Sequence, residues 1–237
     1  VENEYNDYRG KIIAIDISIL LYQVVIAIRN TGEDLVNNKG EIISHILGLF
    51  NKTMLLIKRG IIPIYVFDGK PPDIKNKILE SRKYIRLRAL EKLANAKTKS
   101  ERIKYFKRCV QITQKQINQA RELLELMGIP YIVASEEADS QCAYLSKNGF
   151  VDGVLTEDLD ILTFGSKLIV KNLTSHKNKP VKISLNKILD ILGFTYKQFV
   201  EFCVLLGCDY CNGLTDVKPN ILYYYYKKHL NLPDTLK

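Results

Sequence analysis

Four short apolar runs, each closing on or leading into an acid, constrain the fold of this chain more than any other feature. They are Lys11-Ile-Ile-Ala-Ile-Asp16, Ile61-Ile-Pro-Ile-Tyr-Val-Phe-Asp68, Ile129-Pro-Tyr-Ile-Val-Ala134 with Ser135-Glu-Glu-Ala-Asp139 behind it, and Val151-Asp-Gly-Val-Leu-Thr-Glu-Asp158. They are short and partly β-branched, as strands buried on both faces are. Between them apolar residues recur at helical spacing. Ile43, Ile46, Leu47, Phe50, Met54 and Ile57 do so in 42–58, and Ile117, Ala120, Leu124 and Met127 do so in 111–127, where Gly128-Ile-Pro130 stops the pattern. Strands alternating with helices imply right-handed crossovers, and so an α/β fold with a mostly parallel central sheet flanked by helices. The 237 residues suffice for one such domain with a real core.

In an open parallel sheet, ligands bind beyond the carboxyl ends of the strands. Asp16 and Asp68 end the first two runs. Glu137 and Asp139 follow the third, at the start of a helix predicted over 138–145, and Asp158 and Asp160 follow the fourth. Any one of these acids is explained as a helix cap or as a partner of a helix dipole. Acids at four strand ends are not, because so many carboxylates in one place repel one another unless cations sit among them. All-oxygen ligands select hard ions, Mg²⁺ or Mn²⁺ in its place. Cys208-x-x-Cys211 is half of a zinc motif with no second half at the right spacing, and His45, His176 and His229 are scattered and expected to be structural. No Gly-x-Gly-x-x-Gly follows a strand and no P-loop is present, so a nucleotide site has no support.

The charge is equally uneven. The net charge is +9, yet the segment 70–121 holds sixteen Lys and Arg against Asp73, Glu80, Glu91 and Glu101, a net of +12 that leaves the remainder at −3. The segment opens after Gly69-Lys-Pro-Pro72, and its apolar residues (Ile78, Ile85, Leu90, Leu93) are too sparse for a core layer. It reads as helices projecting from the sheet toward a polyanion. Carboxylates beside such a surface have a use: two divalent ions about 4 Å apart activate water and stabilise the leaving oxygen of a phosphodiester, while Lys and Arg hold the phosphate. No apolar run is long enough to cross a bilayer, and the start does not look like a secretory signal. Five cysteines, an odd number, favour a reducing compartment over a disulfide scaffold.

At this point Ala14-Ile-Asp16-Ile-Ser, Gly40-Glu-Ile-Ile-Ser-His45, Tyr65-Val-Phe-Asp68-Gly-Lys-Pro-Pro72, Met127-Gly-Ile-Pro-Tyr131, Glu137-Ala-Asp-Ser-Gln141, Thr156-Glu-Asp-Leu-Asp160 with Leu162-Thr-Phe-Gly165, and Leu206-Gly-Cys-Asp-Tyr-Cys211 stand in one order along nearly the whole chain. In these the chain resembles the flap endonucleases, within the wider superfamily of 5′ nucleases. The resemblance implies a single 5′ nuclease domain over 1–237, with a helical arch at 73–122 and a helix–hairpin–helix element at 196–230. It implies two Mg²⁺ ions, with Asp16, Asp68, Glu137 and Asp139 matching one group of ligands and Asp158, Asp160 and Asp209 the other. Asp209 rests on the resemblance alone, and the Glu-Ala-Asp spacing favours Glu137 over its neighbour Glu136. Lys75 and Arg82 match positions at the scissile phosphate, two helical turns apart, and act with Asp158 and Asp160 in catalysis. Further DNA contacts are expected from Lys70, Arg86 and Lys218, and from Lys104, Lys107 and Arg108, which close the arch. Tyr22 matches a tyrosine that stacks on a base, and Arg29 is expected on the duplex or a 3′ flap.

Some positions depart from the pattern. Asp216 and Lys218 stand where the hairpin's glycines are expected, and their side chains hinder close backbone approach to a phosphate and disfavour the K⁺ ion commonly held there. Tyr223 to Tyr226 read on their own as a helix with two buried tyrosines. The chain starts at Val1 and stops soon after the hairpin, without a sliding-clamp-binding tail, so a fragment of a longer protein is expected. The expected partner is DNA with a 5′ flap or 5′ end at a duplex junction, bound by a monomer with no membrane association. The expected location is the nucleus, or wherever DNA is replicated (the cytoplasm for a viral protein), and not outside the cell. Three alternatives stay open: a 5′–3′ exonuclease, a catalytically silent junction binder, and a phosphatase for small esters.

Overall fold

The computed structural model describes residues 2–175 and 177–231, and His176 lies outside them. Its strands are β1 (Ile12–Asp16), β2 (Ile62–Phe67), β3 (Tyr131–Val133), β4 (Gly153–Leu155), β5 (Leu168–Lys171) and β6 (Val181–Ser184). They form one sheet in the order β3-β2-β1-β4-β5-β6. Every neighbouring pair is parallel except β5–β6, which is antiparallel. The four runs read from the sequence are β1 to β4, in the predicted orientation. The last two strands were not foreseen. β5 is four residues long, and β6 alternates Val181 and Ile183 with polar residues, the pattern of an edge strand too short to stand out from a loop.

The helices are α1 (Ile17–Arg29), α2 (Ser44–Lys58), α3 (Asn76–Ala94), α4 (Lys99–Arg108), α5 (Gln114–Leu126), α6 (Ala138–Lys147), α7 (Leu185–Leu192), α8 (Tyr196–Leu206) and α9 (Pro219–His229). Alternation along each strand feeds two cores. Ile13, Ile15, Tyr65 and Phe67 meet Leu49 and Leu56 of α2 and Ala120 and Leu124 of α5. Ala14, Val66 and Val154 meet Cys142 of α6, Phe199, Phe202 and Leu205 of α8 and Leu222 and Tyr226 of α9. Covering both faces explains why the strands read as unbroken apolar runs. Each fully buried Leu or Ile contributes roughly 1.5–3 kcal/mol, so these two layers dominate the stability of the fold. His45, fully buried, bonds Gln119 through Nε2 at 2.9 Å, the structural role expected of it.

The basic segment is an arch of two helices, α3 and α4, with only Ala89 buried in the first and nothing in the second. It is shorter than the predicted 73–122, because α5 begins at Gln114 and belongs to the core. Its second leg is pinned to α1. Arg29 donates to Asp34 from Nε (3.0 Å) and Nη2 (2.8 Å) and to the Phe106 carbonyl from Nη1 (3.0 Å), and its guanidinium lies over the Phe106 ring. Within 196–230, α8 and α9 are separated by 207–218, where Gly207 takes φ +99°. Tyr226 is fully buried and Tyr223 half-buried, while Tyr224 and Tyr225 face outward.

The strand ends are drawn together behind β2. The Gly69 amide donates to the Glu136 carbonyl at 2.6 Å, and the Ala134 amide to the Phe67 carbonyl at 2.9 Å. A Cβ on Gly69 would lie 2.2 Å from the Ala134 carbonyl oxygen, a backbone atom that cannot swing aside. Gly69→Ala is therefore expected to lose about 1–3 kcal/mol by overpacking, and urea unfolding that gives the parent midpoint would refute this account of the junction.

Candidate active site

Asp16 ends β1 and is 5% exposed. One of its oxygens caps α1, accepting from the Ser18 and Ile19 amides at 2.7 and 3.2 Å, so the bland explanation of this acid is also true. Asp68, just beyond β2, accepts from the Ser18 hydroxyl at 2.6 Å and from the Ala138 amide, the first of α6, at 2.9 Å. One carboxylate thus ties α1, β2 and α6 together. Glu137, at the N-cap of α6, pairs with the Lys75 ammonium and accepts from the Tyr210 hydroxyl. Its neighbour Glu136 is exposed and bonds Gly69 through its carbonyl. Asp139 lies in the first turn of α6 and keeps one oxygen, Oδ1, buried with no hydrogen-bond partner.

The second group sits across the cleft. Asp158 accepts from the Asp160 amide at 2.9 Å, and Asp160 opens a 3₁₀ turn over Asp160–Leu162. Asp209, in the loop after α8, receives two cations of the basic segment, Lys75 and Arg82. Arg82 grips it with 2.9 and 3.1 Å contacts, and Lys75 reaches it at 3.2 Å. Lys75 thereby bridges Glu137 of one group and Asp209 of the other, with its ammonium 5.4 Å from the Tyr210 ring centre. A cavity of about 190 Å³ opens among Lys75, Asp139, Asp158, Asp160 and Asp209. Tyr210 and Ser18 were not singled out from the sequence. Both lie inside motifs quoted for their acids, and only the folded chain shows their hydroxyls on Glu137 and Asp68.

Of the expected DNA contacts, Lys70, Arg82, Lys104, Arg108 and Lys218 are exposed, and so is Tyr22, at 43%. Arg86 is half-buried. Two residues are placed differently from expectation. Arg29, with its side chain 15% exposed, has its donors engaged at the joint between α1 and the arch, and Lys107 donates to Asn30 at the same joint, at 2.8 Å. Both hold the arch to the body. At the altered hairpin, Asp216 and Lys218 need no glycine, because Asn172 and Leu230 are the only non-glycine residues with positive φ among those described. Lys218 occupies the N-cap position of α9 without a side-chain hydrogen bond, and Pro219 takes the first helical position.

Electrostatics links all seven acids. Burial, then the charges of Asp139 and Asp68, holds the Asp16 carboxyl well above the usual range. Burial, then Asp158 and Asp68, pushes Asp139 up to about 6. Burial, then Asp158 and Asp209, raises Asp160. A buried carboxylate oxygen without a donor, ringed by other carboxylates, suits a hard divalent cation and little else. Among the described residues no three acidic, His or Cys side chains are gathered tightly enough to grip an ion. Glu137 and Asp209 are turned to Lys75 and Arg82, which stand in as the positive charge, and Glu137 also accepts from the neutral Tyr210 hydroxyl. The sign of the pH effect follows. A carboxyl raised on folding stabilises the fold below its unfolded value of 3.8, and that stabilisation is lost as pH rises through about 6. In chelator, wild-type stability is expected to carry this loss between pH 4 and 7, and Asp139→Asn to show a shallower one. Equal slopes in urea titrations of the two proteins would rule it out.

The family description "XPG N-terminal domain" matches residues 2–89 and "XPG I-region" matches 128–209. Flap endonuclease 1 of Glossina morsitans morsitans is 44% identical over 224 residues, covering 92% of this chain and 59% of the relative. Flap endonuclease 1 of Homo sapiens is 39% identical over 242 residues, covering all of this chain and 64% of the relative. The chain thus spans less than two thirds of the length of these curated relatives. Among solved structures, the catalytic core of Rad2 in complex with DNA substrate superposes with a TM-score of 0.74 at 32% identity, covering 97% of this chain and 65% of that one. Flap endonuclease-1 from Methanococcus jannaschii does so with a TM-score of 0.75 at 33% identity, over 95% of this chain and 73% of its own. With the motifs in order, the six-stranded sheet and the acid cleft under a basic arch, the chain belongs to the flap endonuclease family.

Proposed function

We propose that this chain is the nuclease core of a structure-specific 5′ flap endonuclease, which hydrolyses DNA phosphodiesters at junctions of single strand and duplex in replication and repair. The observation that carries the reading is the placement of Lys75 and Arg82, which reach from a strongly basic arch into a seven-carboxylate cleft. Groups for a phosphate and groups for cations meet in one place. The solved relatives include one in complex with DNA substrate, which supports a nucleic-acid partner. A small phosphate ester needs no arch of this charge, so phosphatase chemistry is disfavoured.

Asp16, Asp68, Glu137 and Asp139 would hold one Mg²⁺, and Asp158, Asp160 and Asp209 a second, with Mn²⁺ able to replace either. When bound, the ions would supply charge neutralisation at the phosphodiester and activation of the attacking water. The chain's own part is positional. Lys75 and Arg82 exchange Glu137 and Asp209 for phosphate oxygens, holding the scissile phosphate and offsetting its developing charge. That exchange frees the two carboxylates to ligate. The exposed ring of Tyr22 offers a stacking face to a base, while Lys70, Lys104 and Arg108 track the strand. Products would carry a 5′ phosphate and a 3′ hydroxyl, and the enzyme would work as a monomer wherever DNA is replicated. Clamp binding would need a tail outside these residues.

With a labelled 5′-flap duplex and Mg²⁺, cleavage is expected near the junction, and Asp158→Ala is expected to abolish turnover while sparing DNA binding. Binding without metal-dependent cleavage would instead make the protein a silent junction binder. A panel of flap, double-flap, nicked, blunt and bubble substrates, read at nucleotide resolution, separates flap cleavage from 5′–3′ exonuclease action.

A further inference from the structure

The loop that carries Asp209 also carries two thiols. Cys208 and Cys211 are both free, and their sulfurs lie 3.7 Å apart. The residues form an isolated antiparallel bridge and exchange both main-chain hydrogen bonds, Cys208 N–H to Cys211 O at 2.9 Å and Cys211 N–H to Cys208 O at 3.2 Å. Such a pair holds its Cα atoms about 5.5 Å apart, within the roughly 4.4–6.8 Å that a disulfide spans. The backbone is therefore already set for a bond between the sulfurs. Cys208 lines the acid cavity beside Asp160 and Asp209, so a small polar oxidant reaches it from the cleft.

The flanks of the loop cannot yield when that bond forms. A Cβ on Gly213 would lie 2.3 Å from the Gly207 amide nitrogen, so the two glycines are stacked backbone on backbone. Gly207 has φ +99° and Gly213 φ +59°, conformations that other residues rarely adopt. The Leu214 amide bonds the Leu205 carbonyl at 2.8 Å just outside them. With the flanks so held, any shift that accompanies closing the gap between the sulfurs to about 2.05 Å falls inside the four-residue loop, on Asp209 and Tyr210. These are the residues whose side chains hold Lys75, Arg82 and Glu137.

We propose that Cys208 and Cys211 are an oxidation site, joined as a disulfide by a peroxide, and that the bridge displaces Asp209 and Tyr210 from the carboxylate cleft. In the first step the thiolate of one cysteine attacks the O–O bond of hydrogen peroxide, giving a sulfenic acid and, with the thiol's proton, one water. In the second, the other sulfur attacks the sulfenic sulfur, the S–S bond forms and the hydroxyl leaves as a second water. The two sulfurs lose two electrons and the peroxide gains them. Thiol reductants reverse the reaction by exchange. A transient, signalling disulfide of this kind is compatible with a reducing compartment. Its effect on the cleft rests on the reading of Asp209 as a cation ligand.

The test uses the whole chain treated with hydrogen peroxide. Intact mass and peptide mapping read the bond, and calorimetric titration with Mg²⁺ reads the cleft. The expected result is the loss of two hydrogens per chain, with free thiols falling from the five of the reduced protein to three. Mg²⁺ affinity should weaken by about tenfold or more and recover with dithiothreitol. Cys211→Ser should bind Mg²⁺ as the parent does and lose nothing on oxidation, and recovery in the parent stands as the control should that variant fold poorly. Bridging of other cysteines, no bridging, or a Cys208–Cys211 bridge with unchanged Mg²⁺ affinity would each overturn the proposal. If the fully reduced protein binds no Mg²⁺, the cation reading of the cleft fails and the proposed effect of the bridge falls with it, while the mass result still decides whether the bond forms.

Discussion

Mutual repulsion among carboxylates at the strand ends is the constraint on which the rest of this molecule depends. Parallel strands deliver their carboxyl ends to one edge, and here that edge receives Asp16, Asp68, Glu137, Asp139, Asp158 and Asp160. Burial makes matters worse, since Asp16 is almost wholly excluded from water. Left alone, such a cluster would take up protons or open the fold. Three compensations are visible. Backbone amides at the starts of α1 and α6 donate to Asp16 and Asp68 and offset part of their charge. Two hydroxyls, on Ser18 and Tyr210, donate to acids. Lys75 and Arg82 bring in positive charge from the arch.

The third compensation explains an otherwise odd division of labour. The arch is too polar to earn its place by burial, with Ala89 its only buried residue. Its attachment is electrostatic at one end, through Lys75 and Arg82 on the acids, and mixed at the other, through Arg29 stacked on Phe106 and paired with Asp34. The Arg29 joint is half-buried and lies outside the cleft. The contacts at the acid end are made to groups that suit divalent cations. In the proposed function the same two side chains would serve a phosphate, and doing so would mean leaving the acids they hold here.

Much of this was legible in the chain. The four acid-terminated runs give four strands in the right orientation, because burial on both faces removes polar residues and leaves a signal that needs no context. Six acids were picked out by that logic alone, and Glu137, not Glu136, is the one that faces Lys75 and Tyr210. The polar segment between the second and third strands was recognised as projecting, since residues so charged cannot form a core. The short strands β5 and β6 were missed because four residues of edge strand carry too little pattern to separate from loop. The arch was drawn too long because α5 has charged residues on its outer face, and only its packing on α2 assigns it to the core.

What the sequence by itself determined is the parallel sheet, the edge that gathers acids and the basic character of the segment above it. Each is a property of residue type along one stretch of chain. The tertiary structure alone decided which distant groups meet: Asp209 beneath Arg82, Lys75 between Glu137 and Asp209, Tyr210 on Glu137, and Arg29 turned inward to Asp34 and Phe106. These contacts join residues up to 134 positions apart, as Lys75 and Asp209 are. Their geometry depends on how two helical legs and a glycine-locked loop pack, and periodicity along a chain carries no information about that.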